Sequence, residues 1–301
     1  MYGWLSLEVL DTMNEISVIG RIKEGFKIWR KGWLSFILAV ILLSFVFTIV
    51  LIPVSFGIAG IAGIGAYFGE SLILVTIAAF AVIIFFIAFS FIVIGTMCGL
   101  GKELIEIEDT RAENTLHYIK SYGLRFAAIG IIIGTVVIGP FMVVAITLAF
   151  INISPGFSLN PWIGGAVGIF SFIVAFFLFV PFALSIPVCL IEDIGPIESI
   201  KTSFHAFRRN PKTISVLLAS FIVIFVALLV LPILGLIIGF VQAPFAVILA
   251  GVLGTFAVIA FFVCIFVILP VMCITFTKLY YDYKIPMKEE VSEEDLPIRL
   301  L

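Results

Sequence analysis

The stretch ILAVILLSFVFTIVLIPVSF, residues 37–56, runs for twenty residues without a charge. In a helix rising 1.5 Å per residue, that length crosses the roughly 30 Å of a bilayer's hydrocarbon core. Comparable runs recur along the chain, among them 72–97, 130–150 and 214–241. The pattern predicts six spans, near residues 34–56, 71–99, 124–150, 162–190, 213–240 and 246–277. Composition agrees. With 63% hydrophobic residues, 12% charged residues and a mean hydropathy of +1.31, the 301-residue chain has too little polar material to cover a water-facing domain. Barrel strands would be about ten residues long with alternating polarity, which these runs lack. The predicted class is all-α integral membrane. A cleaved leader is not expected, because the first apolar run follows some thirty residues of mixed polarity.

The placement of charge sets the predicted orientation. Arg21, Lys23, Lys27, Arg30 and Lys31 precede span 1, and Lys102, Arg111, Lys120 and Arg125 follow span 2. Lys201, Arg208, Arg209 and Lys212 follow span 4, while Lys278, Lys284, Lys288 and Arg299 follow span 6. These are all 17 Lys and Arg of the chain, so the connections after spans 1, 3 and 5 carry none. Basic residues stay on the cytoplasmic side, which places both termini there in a plasma membrane. The acids share that side except Glu70, read first as a solvated loop carboxylate and second as a functional one.

Two of the basic segments are amphipathic. In IKTSFHAFRRNP (200–211) and the residues before it, Ile197, Ile200, Phe204 and Phe207 recur at helical spacing, with Lys201, His205, Arg208 and Arg209 mostly elsewhere on the wheel. Such a helix should lie in the cytoplasmic interface and break at Pro211 before span 5. Near the N-terminus Ile19, Ile22, Phe26, Trp29 and Trp33 repeat the device. IKEGFKIWRKG (22–32) aligns with IKTSFHAFRRN (200–210), and Ala112, Leu116, Ile119 and Tyr122 give a weaker third copy. The exits of the even spans also match: IGTMC (94–98), IPVC (186–189) and LPVMC (269–273). The predicted organisation is one membrane domain, 1–286, made of three parallel hairpin repeats (16–110, 111–194 and 195–286), each led by an amphipathic helix. An acidic tail, 287–301, reads as disordered.

Little in the sequence supplies chemistry. His117 and His205 sit on the proposed interfacial helices, and HExxH, GxSxG and a phosphate loop are all missing. No cofactor, metal or catalytic residue is assigned. Cys98, Cys189 and Cys273 occupy matching repeat positions and read first as small apolar residues; a converging soft-metal or redox trio is the second reading. The glycine-rich run 57–65 reads as close packing or an outer loop. Gly130/Gly134 and Gly235/Gly239 are small-xxx-small pairs, read as internal packing before a dimer seam. Prolines 187 and 270 fall at equivalent places and predict kinks. Apart from Glu70 the apolar spans lack ionisable groups, which argues against a coupled transporter. A scarcity of Gln and Asn fits a thermophilic prokaryote.

GPIESIKTSFHAFRRNP (195–211) and TKLYYDYKIP (277–286) resemble a group of uncharacterised bacterial and archaeal six-span proteins. That group includes the membrane domain attached to some glycerophosphodiester phosphodiesterases. The resemblance implies topology and carries over no catalytic residue, because the phosphodiesterase chemistry resides in a separate soluble barrel. A comparison with mitochondrial carriers fails on the absence of their Pro-x-Asp/Glu-x-x-Lys/Arg signature from the odd spans.

The expectation is a non-enzymatic polytopic membrane protein, lipid-interacting or accessory to a membrane complex, with no nucleic-acid partner. Anionic headgroups would be met by Arg21, Lys23, Lys27, Arg30, Lys31, Lys201, Arg208, Arg209 and Lys212. The alternative is a permease or channel for a lipid-like or apolar substrate.

Overall fold

The computed structural model describes residues 18–68, 71–153, 170–171, 173–239 and 244–294. Glu70 and residues 295–301 lie outside this set. Nine α-helices follow in order among the described residues: α1 Val18–Lys31, α2 Trp33–Phe68, α3 Ser71–Glu106, α4 Asn114–Ile153, α5 Ser185–Glu192, α6 Pro196–Arg209, α7 Pro211–Gly239, α8 Pro244–Val263 and α9 Leu269–Glu294. There is no strand among them. A further helical stretch before α5 ends in a 3-10 turn at Val180–Phe182, and a π turn at Cys264–Ile268 joins α8 to α9. Among the described residues, six segments are long and apolar enough to cross a membrane: Trp33–Pro53, Ala81–Glu106, Asn114–Val137, Ile173–Glu192, Pro211–Leu228 and Leu253–Lys284. Each overlaps one predicted span.

Their outward faces explain the composition. Along α2, Leu34, Leu38, Ile41, Phe45, Ile49, Ile52 and Phe56 are exposed at spacings of three or four. A continuous apolar stripe of this length is costly in water and neutral in lipid.

Helix boundaries follow local chemistry. α6 stops at Arg209 and α7 starts at Pro211, where the missing N–H of a first-turn proline costs nothing. α1 and α2 separate at Gly32, where an added Cβ would lie 2.8 Å from Thr110 Cγ2. The third amphipathic segment differs from expectation. It is not a separate helix but the first turns of the continuous α4. A lone Gly123 costs about 1 kcal/mol in a helix, too little to break one. α9 likewise runs on through residues 287–294 of the stretch read as a disordered tail.

Pro187 and Pro270 both mark irregular backbone. Pro187 stands in the first turn of α5, after the 3-10 turn and a two-residue turn at 183–184. Pro270 follows the π turn, in which Leu269 N–H donates to Cys264 O; the wider turn relieves the clash between the proline ring and the preceding carbonyls. At the matching place in α3 stands Gly95, and that helix is regular. There an added Cβ would lie 2.5 Å from Phe126 Cε2, so the glycine seats an aromatic ring on the backbone.

The chain divides into two compact units. The first takes its described residues from Met1–Ile41, Thr96–Leu116 and Asn210–Leu301. In it α7 packs on α8, α9 packs on α1, and Phe36, Leu100, Ile214, Leu217, Ile274 and Leu279 are buried. The second takes them from Leu42–Gly95 and His117–Arg209. There α2 meets α3 through Phe47 and Phe89, whose rings lie 4.4 Å apart. α4 meets α3 where added Cβ atoms at Gly130 and Gly134 would lie 2.7 Å from Phe91 Cγ and 2.9 Å from Ile87 Cγ2. This pair is therefore internal packing; the surroundings of Gly235 and Gly239 lie outside the described set. The glycine-rich run 57–65 is helical, and nothing lies within 4 Å of an added Cβ at Gly57 or Gly60.

Candidate functional site: two inverted amphipathic helices

In water an amphipathic helix turns its apolar face to the protein. α1 does the opposite. Its buried residues are Arg21 and Gly25, while Ile19, Phe26 and Trp33 just beyond its end are exposed at 65%, 46% and 48%. The inward face is fixed to α9 by antiparallel pairs. Arg21 Nη1 donates to Asp282 Oδ2 at 2.9 Å, and Lys278 Nζ donates to Glu24 Oε1. One residue beyond Glu24, Gly25 lies so close to α9 that an added Cβ would overlap the Thr275 hydroxyl and sit 3.3 Å from Val271 O. Thr275 Oγ1 is itself held by Val271 O at 2.7 Å.

α6 is built the same way. Ser199, Ser203 and Ala206, one stripe at spacings of four and three, are buried; Ile197 and Phe204 are exposed. Small side chains let α6 approach the Val180–Phe182 turn and α5 closely. Ser203 Oγ donates to Pro181 O at 2.8 Å, satisfying a carbonyl at that break, and Ser199 Oγ donates to Gly195 O at 2.7 Å. On the outward side the cations share the aromatic stripe. Arg208, expected on a separate face, lies one turn beyond Phe204 with its guanidinium 4.9 Å from the ring centroid, within cation–π range. Lys201 is exposed one turn after Ile197.

The predicted headgroup residues therefore divide. Arg21 departs from the expectation: it is 5% exposed, paired with Asp282 and turned away from any interface. Lys31 is exposed and bonds Glu108 at 3.1 Å. Lys23, Lys27 and Arg30 on α1, and Lys201, Arg208 and Lys212 on and after α6, are exposed without an acidic partner among the described residues. Arg209 is exposed as well. Both His117 and His205 are exposed.

The polar ends of the even spans each carry at least one acid that binds a neighbouring segment. Glu103 accepts from Asn114 Nδ2 at 2.9 Å and from Thr110 Oγ1 at 3.1 Å, bracing the α3–α4 connection. That connection also receives Ser35 Oγ, which donates to Thr110 O at 2.8 Å. Asp193, in the left-handed region that ends α5, accepts from Arg125 Nη1 at 2.7 Å; Arg125 stands 5.4 Å from the Tyr122 ring. Asp282 holds Arg21, and the neighbouring Tyr281 donates to Glu106. Nothing in the local sequence pattern of these acids names their partners, which for Asp282 lies 261 positions away.

All four cysteines are free and buried. Cys98 Sγ lies 3.9 Å from Cys273 O, so these two exits touch, whereas Cys189 Sγ bonds Ile194 O at 3.4 Å. No group of three or more His, Cys, Asp or Glu is placed to hold a metal among the described residues. Glu70 lies outside them. No protein-family model matches this chain, nor does any curated protein or solved structure.

Proposed function

We propose that the chain is a non-enzymatic membrane protein that holds anionic lipid headgroups on one leaflet through α1 and α6. The observation that carries this is the sorting of charge on those helices. Glu24 is turned to α9, while Lys23, Lys27, Arg30, Lys201 and Arg208 are turned outward beside exposed Ile19, Phe26, Ile197 and Phe204. An aromatic and aliphatic stripe bordered by unneutralised cations matches the acyl–headgroup boundary of an anionic leaflet. By the distribution of Lys and Arg that leaflet is the cytoplasmic one.

Three parallel repeats are part of this proposal. They are supported by like contacts at each even-span exit: α1 on α9, the start of α4 on the end of α3 through Asn114 and Glu103, and α6 on α5. Kinship with the phosphodiesterase-associated membrane domain is proposed on 195–211 and 277–286 alone. The polar side chains at the exits are committed to helix–helix bonds, which favours a holding or accessory role over chemistry.

Native mass spectrometry of protein released from mixed anionic and zwitterionic nanodiscs tests the reading. Retention of anionic lipid at fixed stoichiometry is expected. Because each nearby cation contributes about 1 kcal/mol, Lys201→Gln, Arg208→Gln and Lys212→Gln together should weaken it by about 100-fold. Retention that ignores both lipid charge and these substitutions would remove the proposal.

A further inference from the structure

Within the second unit an apolar groove of about 280 Å³ runs between α2 and α3. Leu43, Val46 and Val50 form one wall, and Ala88, Phe89 and Ile92 the other. Ile119, in the first turns of α4, and Phe85 complete it. Leu43 and Val50 are seven residues apart, so at 1.5 Å per residue the trough is about 10 Å long. Its polar-end residues are Leu43 on α2, which starts at Trp33, and Ile92 on α3, which ends at Glu106. Val50 and Phe85 lie deeper in the same spans.

The groove is continuous with the lipid-facing surface: Val50 is 40% exposed, and Ile49 and Phe86 beside it are exposed at 54% and 44%. Water gains nothing in a trough without polar partners, and atoms lining an unfilled trough lose their dispersion contacts. At this depth of a bilayer the available filler is hydrocarbon. A chain lying in the trough would be walled by two helices and meet a third at Ile119; exposed Phe256, Val258, Ile259 and Phe262 of α8 line no such trough and serve as the comparison.

We infer that the α2–α3 groove is a binding site for one hydrocarbon chain of a membrane lipid, with the chain end toward Val50 and Phe85 and the headgroup end toward Ile119. Exposed His117 and Lys120 stand two residues before and one after Ile119, so polar side chains occur at the level of the helix where a headgroup belongs. The site needs no contribution from the outward cations of α1 and α6, so its success or failure is separate from theirs.

The test uses the full chain in nanodiscs with a phospholipid carrying a diazirine near the methyl end of one chain, photolysed and mapped by peptide mass spectrometry. Labelling is expected to concentrate at Val50, Phe85 and Ala88, to saturate against unlabelled lipid, and to move toward Ile92 and Ile119 when the diazirine sits near the headgroup. Ala88→Trp fills the trough and should reduce groove labelling about fivefold or more while labelling at Phe256 and Phe262 is unchanged. If that variant elutes as aggregate, Ala88→Leu serves with a smaller reduction in the same direction. Groove labelling equal to that of the α8 face, unsaturable, or indifferent to a folded Ala88 variant would overturn the inference.

Discussion

Gly25→Ala is the smallest change that separates a docked α1 from a helix merely lying nearby. An added Cβ would overlap the Thr275 hydroxyl and lie 3.3 Å from Val271 O, a backbone atom that cannot rotate away. Restoring an ordinary contact of about 3.5 Å would move α1 outward by about an ångström. Arg21 and Asp282, now 2.9 Å apart, would then stand past the roughly 3.2 Å limit of a good hydrogen bond. Overpacking costs about 1–3 kcal/mol, and losing a hydrogen bond between charged groups, one of them 5% exposed, costs about 1.5–3 kcal/mol. Replacing a helical glycine returns about 1 kcal/mol. The net loss is about 1.5–5 kcal/mol, or roughly 2–8 °C in a melting scan of the detergent-solubilised protein of 301 residues. Gly57→Ala is the internal control. Nothing lies within 4 Å of its added Cβ, so it should be neutral or stabilising by up to about 1 kcal/mol. Adding Thr275→Ala to Gly25→Ala removes the overlapping hydroxyl and should recover most of the loss. A Gly25→Ala variant that melts like Gly57→Ala would refute the close approach of α1 and α9.

Further outcomes follow from the same contacts. Asp282→Asn leaves a nearly buried Arg21 without its countercharge and should cost about 3 kcal/mol, while Arg21→Met with Asp282→Leu should cost much less, as a double-mutant cycle in chemical denaturation would show. Gly95→Ala places a methyl against the Phe126 ring and should cost about 1–3 kcal/mol, recovered by Phe126→Leu, as read from thermal melts. Ser203→Ala removes the donor to Pro181 O and should cost about 1 kcal/mol, with faster amide exchange in α6 than in α7.

The spans were legible because a bilayer imposes both length and polarity on a helix, so 37–56 announces itself without any knowledge of tertiary contacts. The break at Pro211 was equally plain, since proline acts locally. The inward faces of α1 and α6 were not. The strongest helical periodicity belongs to residues such as Phe26 and Phe204 that leave the protein, whereas docking relies on Gly25, Ser203 and Ala206, small residues with no periodic signal of their own. Arg21 sits among outward cations in sequence and differs only in facing Asp282, a partner supplied by the far end of the chain. The third amphipathic segment reads as a separate helix because hydropathy changes at Gly123, whereas the backbone runs on unbroken through it.

Site-directed spin labelling in nanodiscs tests the inverted faces most directly. The native cysteines are buried, so labels on introduced cysteines report alone. At Ile19, Phe26, Ile197 and Phe204 the account predicts greater collision with oxygen, which concentrates in lipid, than with a water-soluble nickel chelate, and the reverse at exposed Glu198. Labels at all four apolar positions reading as aqueous as the one at Glu198 would contradict it, because the helices would then stand in water with their apolar faces uncovered.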